Sequence, residues 1–278
     1  MQGPLYFDIE TQAHPRAEDW IGIGPLGLSD LSNDELRALL AKFDERTSGS
    51  KEVLIERVEA IPASGKVVVE AELDALRAER VLDEISKAPL DPDLGAIRAI
   101  GWASEDGQIL VGVVSEEKSV FPSVIGETDI PFLTEVYSTE AELLEHFWFT
   151  SRANGNRLVG ANILNFDIPY LLRRSMDLNV PPERLNLRRF QTEPICDLMQ
   201  ILAHWGAMRF KPLKWTCQRY GISIPMPETD GSMVADMSDA DLVQYTASDV
   251  YITRELWRKM DGIYWPGRYR TPQSRLPL

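Results

Sequence analysis

Three stretches of this 278-residue sequence put acids where apolar surroundings make them costly. The first is "LYFDIET", residues 5–11, an apolar run that carries Asp8 and Glu10. In a strand, positions two apart share a face, so these carboxylates project together while Phe7 and Ile9 point the other way. Unpaired carboxylates side by side raise each other's proton affinity and cost desolvation energy, so something positive is expected between them. The second stretch is "GANILNFDIPYLL", with Asp167 after a buried strand, where a helix begins. The third is "QYTASDVYI", with Tyr245 and Asp249 four apart and so on one helix face. Four carboxylates on the apolar sides of regular elements can converge at one point. Hard cations such as Mg²⁺ take oxygen ligands and share them with phosphates. Two such ions roughly 3.5–4 Å apart activate a water and stabilise the leaving oxygen of a phosphodiester.

The elements that must position these acids are legible as patterns. The first strand ends near Glu10, and residues 12–88 read as a helical insertion before the next clear strand. Within it, "LSNDELRALLAKF" opens with a capping box from Ser32 to Glu35, and Leu31 and Leu36 form a hydrophobic staple. A polar turn leads to a second helix, "KEVLIERVEAI", and a third amphipathic helix over 67–87 stops at Pro89. Two apolar strands joined through Asp106-Gly107 form a hairpin. Thr139 and Glu142 form a second capping box, "RLVGAN" reads as a short buried strand, and "PICDL" as a further strand end. Helices follow near 198–205 and 212–220, and a long one starts at Ser238. Strands first and helices later indicate an α/β fold around a mixed sheet.

Composition bounds the rest. With 44% hydrophobic and 26% charged residues, the chain can bury a proper core, and no apolar run is long enough to span a bilayer. No basic-then-apolar leader is present, and Cys196 and Cys217 do not form a CxxC pair, so a reducing cytoplasm is the expected compartment. A net charge of −14 argues against a polyanionic partner until its distribution is considered. Residues 1–150 hold 30 acids against 12 Lys and Arg, whereas residues 151–278 hold 13 against 17. If the chain binds nucleic acid, the second half does so.

"YFDIET", "GANILNFDIPYLL" and "QYTASDVYI", in that order, resemble the three motifs of the DnaQ-like 3′–5′ exonucleases. The tyrosine four before the last aspartate is that of their DEDDy branch. The "N…FDIPYL" form is most similar to the proofreading exonuclease domain of family-B DNA polymerases. The resemblance implies an RNase H-like fold: a five-stranded mixed sheet flanked by helices, with the first strand central and the helical insertion following it. It places the exonuclease domain at 1–11 and 89–262, leaving 263–278 as a basic tail. It further implies two Mg²⁺ or Mn²⁺ ions and removal of nucleotides from a DNA 3′ end. Asp8, Glu10, Asp167 and Asp249 would hold the ions, and Tyr245 would orient the attacking water. Asn162 would position the 3′-terminal nucleotide, and Phe166 would wedge against a base.

Within the insertion, residues 31–61 resemble a SAP motif, a small helix–turn–helix module often used to bind DNA. Its 7 acids against 5 bases withhold the usual electrostatic footprint, so DNA contact is set against two other readings, a protein partner or a cap on the sheet. "RFKPLKWTCQRY" interleaves Lys211 and Lys214 with Trp215, as a groove for single strands would. Arg173, Arg174, Arg188 and Arg189 extend the candidate phosphate track. RNA trimming is the alternative activity, and an adaptor working through the SAP-like insertion is the alternative class.

Overall fold

The computed structural model describes residues 3–116, 120–182, 184–188 and 190–264. The 265–278 part of the basic tail, and Arg189 of the phosphate track, lie outside the described residues. The first strand, β1 (Leu5–Ala13), is followed by the one-turn α1 (Ala17–Trp20), then α2 (Asn33–Ala41), α3 (Lys51–Glu59) and α4 (Ala63–Lys87). Next come β2 (Gly95–Ala103), β3 (Ile109–Val114), β4 (Phe132–Tyr137) and α5 (Glu140–Ala153). The remaining elements are β5 (Leu158–Gly160), α6 (Asp167–Asp177), β6 (Ile195–Asp197), α7 (Leu198–Leu202), α8 (Leu213–Arg219) and α9 (Asp239–Tyr264). The chain forms two compact units, one of Met1–Gln12 with Gly95–Leu278, the other of Ala13–Leu94.

The larger unit is built on a six-stranded mixed sheet of order β4-β3-β2-β1-β5-β6, with β1 inside it. β2 and β3 pair antiparallel, as the hairpin reading requires, while β3–β4, β1–β5 and β5–β6 pair parallel. The expected five strands become six because β4, "FLTEVY", lies at the sheet's edge. Its apolar residues, Phe132, Leu133, Val136 and Tyr137, do not alternate with polar ones, and only Phe132 of the six is buried, so the period-two pattern by which half-buried strands are recognised is missing.

Strand alternation sorts β1 between two cores. Leu5, Phe7 and Ile9 pack with Leu143, Phe147 and Leu171 of α5 and α6. Tyr6 faces the other way, into a core with Val250, Leu256 and Trp257 of α9, its ring 6.3 Å from that of Trp257. Period two then turns Asp8 and Glu10 toward the side that α9 covers. Helix α9 can lie close because β2 carries Gly101. A Cβ there would stand 2.7 Å from Val250 Cγ2 and 2.9 Å from Thr246 Cγ2. Those two residues bracket Asp249, so this glycine sets how near the last acid comes to the first two.

The smaller unit has its own core of Leu31, Leu36, Leu39, Leu40, Leu54, Val58, Ile61 and Val69. Its capping box is formed: the Glu35 N–H donates to Ser32 Oγ at 3.2 Å, and the Ser32 N–H to Glu35 Oε2 at 2.6 Å. The His14 N–H donates to the Leu94 carbonyl at 2.9 Å, bringing the two ends of the unit together. No helix among the described residues is long and apolar enough to cross a membrane.

Candidate active site

Three of the four acids meet as the sequence leads one to expect. Asp8 and Glu10 from β1 and Asp249 from α9 each offer a carboxylate oxygen, and these oxygens lie within 4.8 Å of one another. Asp167 stands at the first turn of α6, buried, its Oδ1 accepting the Ile9 N–H at 3.3 Å from between the two strand acids. That hydrogen bond ties the motif-bearing helix to the strand that carries the other two carboxylates.

The electrostatics are those of an under-neutralised cluster. Burial, then the charges of Glu10, Asp167 and Asp249, hold the Asp8 carboxyl well above the usual carboxylate range. Burial and Asp249 do the same to Glu10. Asp167 is pushed up to about 7 and Asp249 to about 6, again chiefly by burial. Asp8 and Glu10 are near enough to share a proton between them. Asp249 Oδ1 is closed off from solvent and has no hydrogen-bond partner. A buried acceptor without a donor is costly, and four carboxylates with an orphaned oxygen form a donor set of the hard, all-oxygen kind that Mg²⁺ or Mn²⁺ takes. The residues present therefore fit a divalent cation.

Tyr245 is buried one turn before Asp249 on α9, and its hydroxyl donates toward that carboxylate. Burial and the surrounding acids hold the phenol far above its ordinary value, so it stays protonated. Lys214, expected on the phosphate track, serves the acid cluster instead. Its Nζ sits 5.0 Å from the centre of the Tyr245 ring and donates to the Met226 carbonyl at 2.7 Å and to the Thr229 carbonyl. Burial lowers its pKa, opposed by Asp249, Asp230 and Glu10, and its charge offsets part of the cluster's repulsion. The Thr229 Oγ1 accepts from it as well, at 3.1 Å, but the backbone carbonyls of the 226–229 loop leave no motif in the sequence.

Arg174 is a correction. Its guanidinium, 2% exposed, is clamped to both Glu140 oxygens at 2.8 Å and to Asp177 at 2.8 Å, and so is not offered to phosphate. Its apolar side of α6 made a buried ion pair the better fate for the charge. Arg173, the next residue back, is exposed, as is Arg188. Lys211 lies 4.7 Å over the ring of the part-exposed Trp215, a surface pair of the cation–aromatic kind. Phe166 packs against Tyr170 at 5.4 Å on the edge of the core. Asn162 takes a left-handed backbone, φ 65°, and its Oδ1 accepts from Asn165 Nδ2 at 2.8 Å.

With this geometry in place, the sequence can be set beside known families. Residues 113–264 match the family described as "Predicted 3'-5' exonuclease related to the exonuclease domain of PolB". The chain belongs to this family. The match runs from β3 through α9, taking in Asp167, Tyr245 and Asp249 of the PolB-related exonuclease. Asp8 and Glu10 lie ahead of it, separated by the insertion, and the fold returns them to the other acids. Residues 27–60, inside the smaller unit, match the SAP domain. No curated protein matches the chain in sequence.

Proposed function

We propose that this exonuclease hydrolyses DNA stepwise from a 3′ end, using two divalent cations held by Asp8, Glu10, Asp167 and Asp249. The observation that carries this reading is the convergence of Asp8 and Glu10, from outside the matched family segment, on Asp249 from within it. Mg²⁺ or Mn²⁺ bound there would lower the pKa of a water and stabilise the oxygen that leaves phosphorus. The chain's own residues do the rest. The protonated Tyr245 hydroxyl orients the attacking water, and Asp249 fixes that hydroxyl from one turn away. Lys214, tethered to the 226–229 loop, keeps the Tyr245 ring from turning. The Ile9 N–H holds Asp167 in register with the strand acids. Water oxygen bonds to phosphorus, the ester bond to the preceding nucleotide's 3′ oxygen breaks, and that oxygen takes up a proton. The SAP-like unit supplies a second foothold on the nucleic acid, and Lys211 with Trp215 receives the single strand.

The test uses single strands of DNA and RNA carrying a label at either end. The reading expects release of labelled mononucleotide from the 3′-labelled DNA with Mg²⁺, stopped by chelator and by Asp8→Ala. Faster release from RNA would reassign the substrate, and full activity in the chelator would remove the mechanism.

A further inference from the structure

Asp197, which no motif assigns, is the most completely satisfied buried charge near the site. It is 0% exposed, and an ionised carboxylate there is tolerable only if donors surround it. Four backbone N–H groups do. Oδ1 accepts from Asn162, Met199 and Gln200, and Oδ2 from Leu164, each at 3.0 Å.

Two of those bonds are an ordinary helix cap, because Met199 and Gln200 open α7 directly after Asp197. A serine or asparagine would serve for that alone. The other two reach back across the sheet to the turn after β5, where Gly160 pairs in register with Asp197. That turn is built around Asn162, and Asp197 adds two bonds from outside it. Asn162 holds a left-handed backbone, and its carbonyl takes the N–H of Asn165 at 3.1 Å and of Phe166 at 3.2 Å. The next residue is Asp167. The turn also has little freedom on its strand side, since a Cβ on Gly160 would stand 3.0 Å from the Phe7 carbonyl, one residue before Asp8.

We propose that Asp197 is a positioning residue of the active site, fixing through the Asn162 and Leu164 N–H groups the turn that delivers Asp167 to Asp8 and Glu10. The inference rests on the exonuclease reading above. Only a carboxylate makes all four bonds: it has no donor to offend an N–H, whereas an amide that kept its oxygen on Asn162, Met199 and Gln200 would turn its NH₂ group toward the Leu164 N–H. Loss of a hydrogen-bond partner behind a metal ligand ordinarily weakens metal binding or activity about 10–100-fold, and Asp197, which acts on the turn and not on Asp167 itself, belongs at the low end of that range.

The experiment compares Asp197→Asn with Met199→Ala, a buried change in the same helix, in the full chain. Mn²⁺ binding without substrate is followed by electron paramagnetic resonance, beside melting temperature and nuclease rate as a function of Mn²⁺. The expected result for Asp197→Asn is a Kd for Mn²⁺ raised about tenfold. Its nuclease rate should fall at low Mn²⁺ and recover toward saturation, with KM for the strand unchanged. Met199→Ala should lower the melting temperature and leave the Mn²⁺ Kd alone. An Asp197→Asn protein that melts lower but binds Mn²⁺ as tightly as the parent would overturn the positioning role. Should that variant not fold, Asp197→Glu, which keeps two acceptor oxygens displaced by a methylene, is read by the same criteria. Asp249→Asn separates the two ideas. If it still binds Mn²⁺ and cuts normally, the exonuclease site itself is misassigned. If it is inactive while Asp197→Asn binds Mn²⁺ normally, only the positioning role falls.

Discussion

Glu35 and Asp249 are both helix carboxylates, one in each compact unit, and the chain treats them in opposite ways. Glu35 accepts the Ser32 N–H and takes Arg80 at 3.0 Å, and these donors, Ser32 first, pull it down to about 2. Asp249 is buried among three other acids, keeps one oxygen unpartnered, and is pushed up to about 6. The smaller unit repeats its solution: Lys42 meets Glu72, Arg37 meets Asp34, and Arg57 donates to the Arg46 and Ser48 carbonyls. The acids paired in this way find their counter-charge within the chain. Around Asp249 the charge of Lys214 offsets only part of the repulsion, at a standing cost in stability. Costs of this kind cluster at functional sites.

The sharpest way to break this contrast is to remove the charge of Asp249. Asp249→Asn should reduce 3′-end cleavage by about a thousandfold or more, the scale set by several kcal/mol of lost transition-state stabilisation. The same change should raise the metal-free melting temperature at pH 8 by several degrees. A carboxyl whose pKa rises about two units on folding costs on the order of 2–3 kcal/mol when ionised. Activity down and stability up from one substitution is a signature that a merely structural acid does not give. Tyr245→Phe should cost about a hundredfold in kcat with little change in KM, measured under single-turnover conditions. Because the phenol stays protonated, no alkaline limb of the pH–rate profile should belong to it.

The pH dependence follows from the same raised carboxyls. A group that holds its proton to higher pH in the folded state stabilises that state below its unfolded pKa, and the benefit is lost as pH rises through the folded value. With Asp249 near 6 and Asp167 near 7 against an ordinary 3.8, the metal-free protein should lose stability as pH climbs from about 4 to 7. Protons and cations compete for these oxygens, so millimolar Mg²⁺ should raise the melting temperature by several degrees at pH 8 and hardly at pH 5. The smallest effect belongs to the other unit. Ser32→Ala should cost about 1 kcal/mol through the lost cap, read by denaturant unfolding, without altering cleavage of short strands.

Much of this was open to a reader of the sequence, for reasons that differ by element. Strand period two and helix spacing put Asp8 beside Glu10 and Tyr245 beside Asp249, because local geometry alone decides those pairs. The Ser32–Glu35 and Thr139–Glu142 capping boxes formed as spaced, being local too. What failed depends on distant partners. Edge strand β4 buries one residue in six and gives little periodicity to read. Arg174 looks like any helix arginine until Glu140, from another helix, is found against it. Lys214 is held largely by backbone carbonyls and Asp197 acts through backbone N–H groups, and backbone groups leave no mark in a sequence.

The central claim is that the meeting point of Asp8, Glu10 and Asp249 is a cation site. Diffraction from crystals soaked in millimolar Mn²⁺, recorded for anomalous scattering, addresses it most directly. The account predicts a peak coordinated by oxygens of those three side chains, with a second reached by Asp8 and Asp167. An acid pocket with no anomalous peak at saturating Mn²⁺ would contradict it.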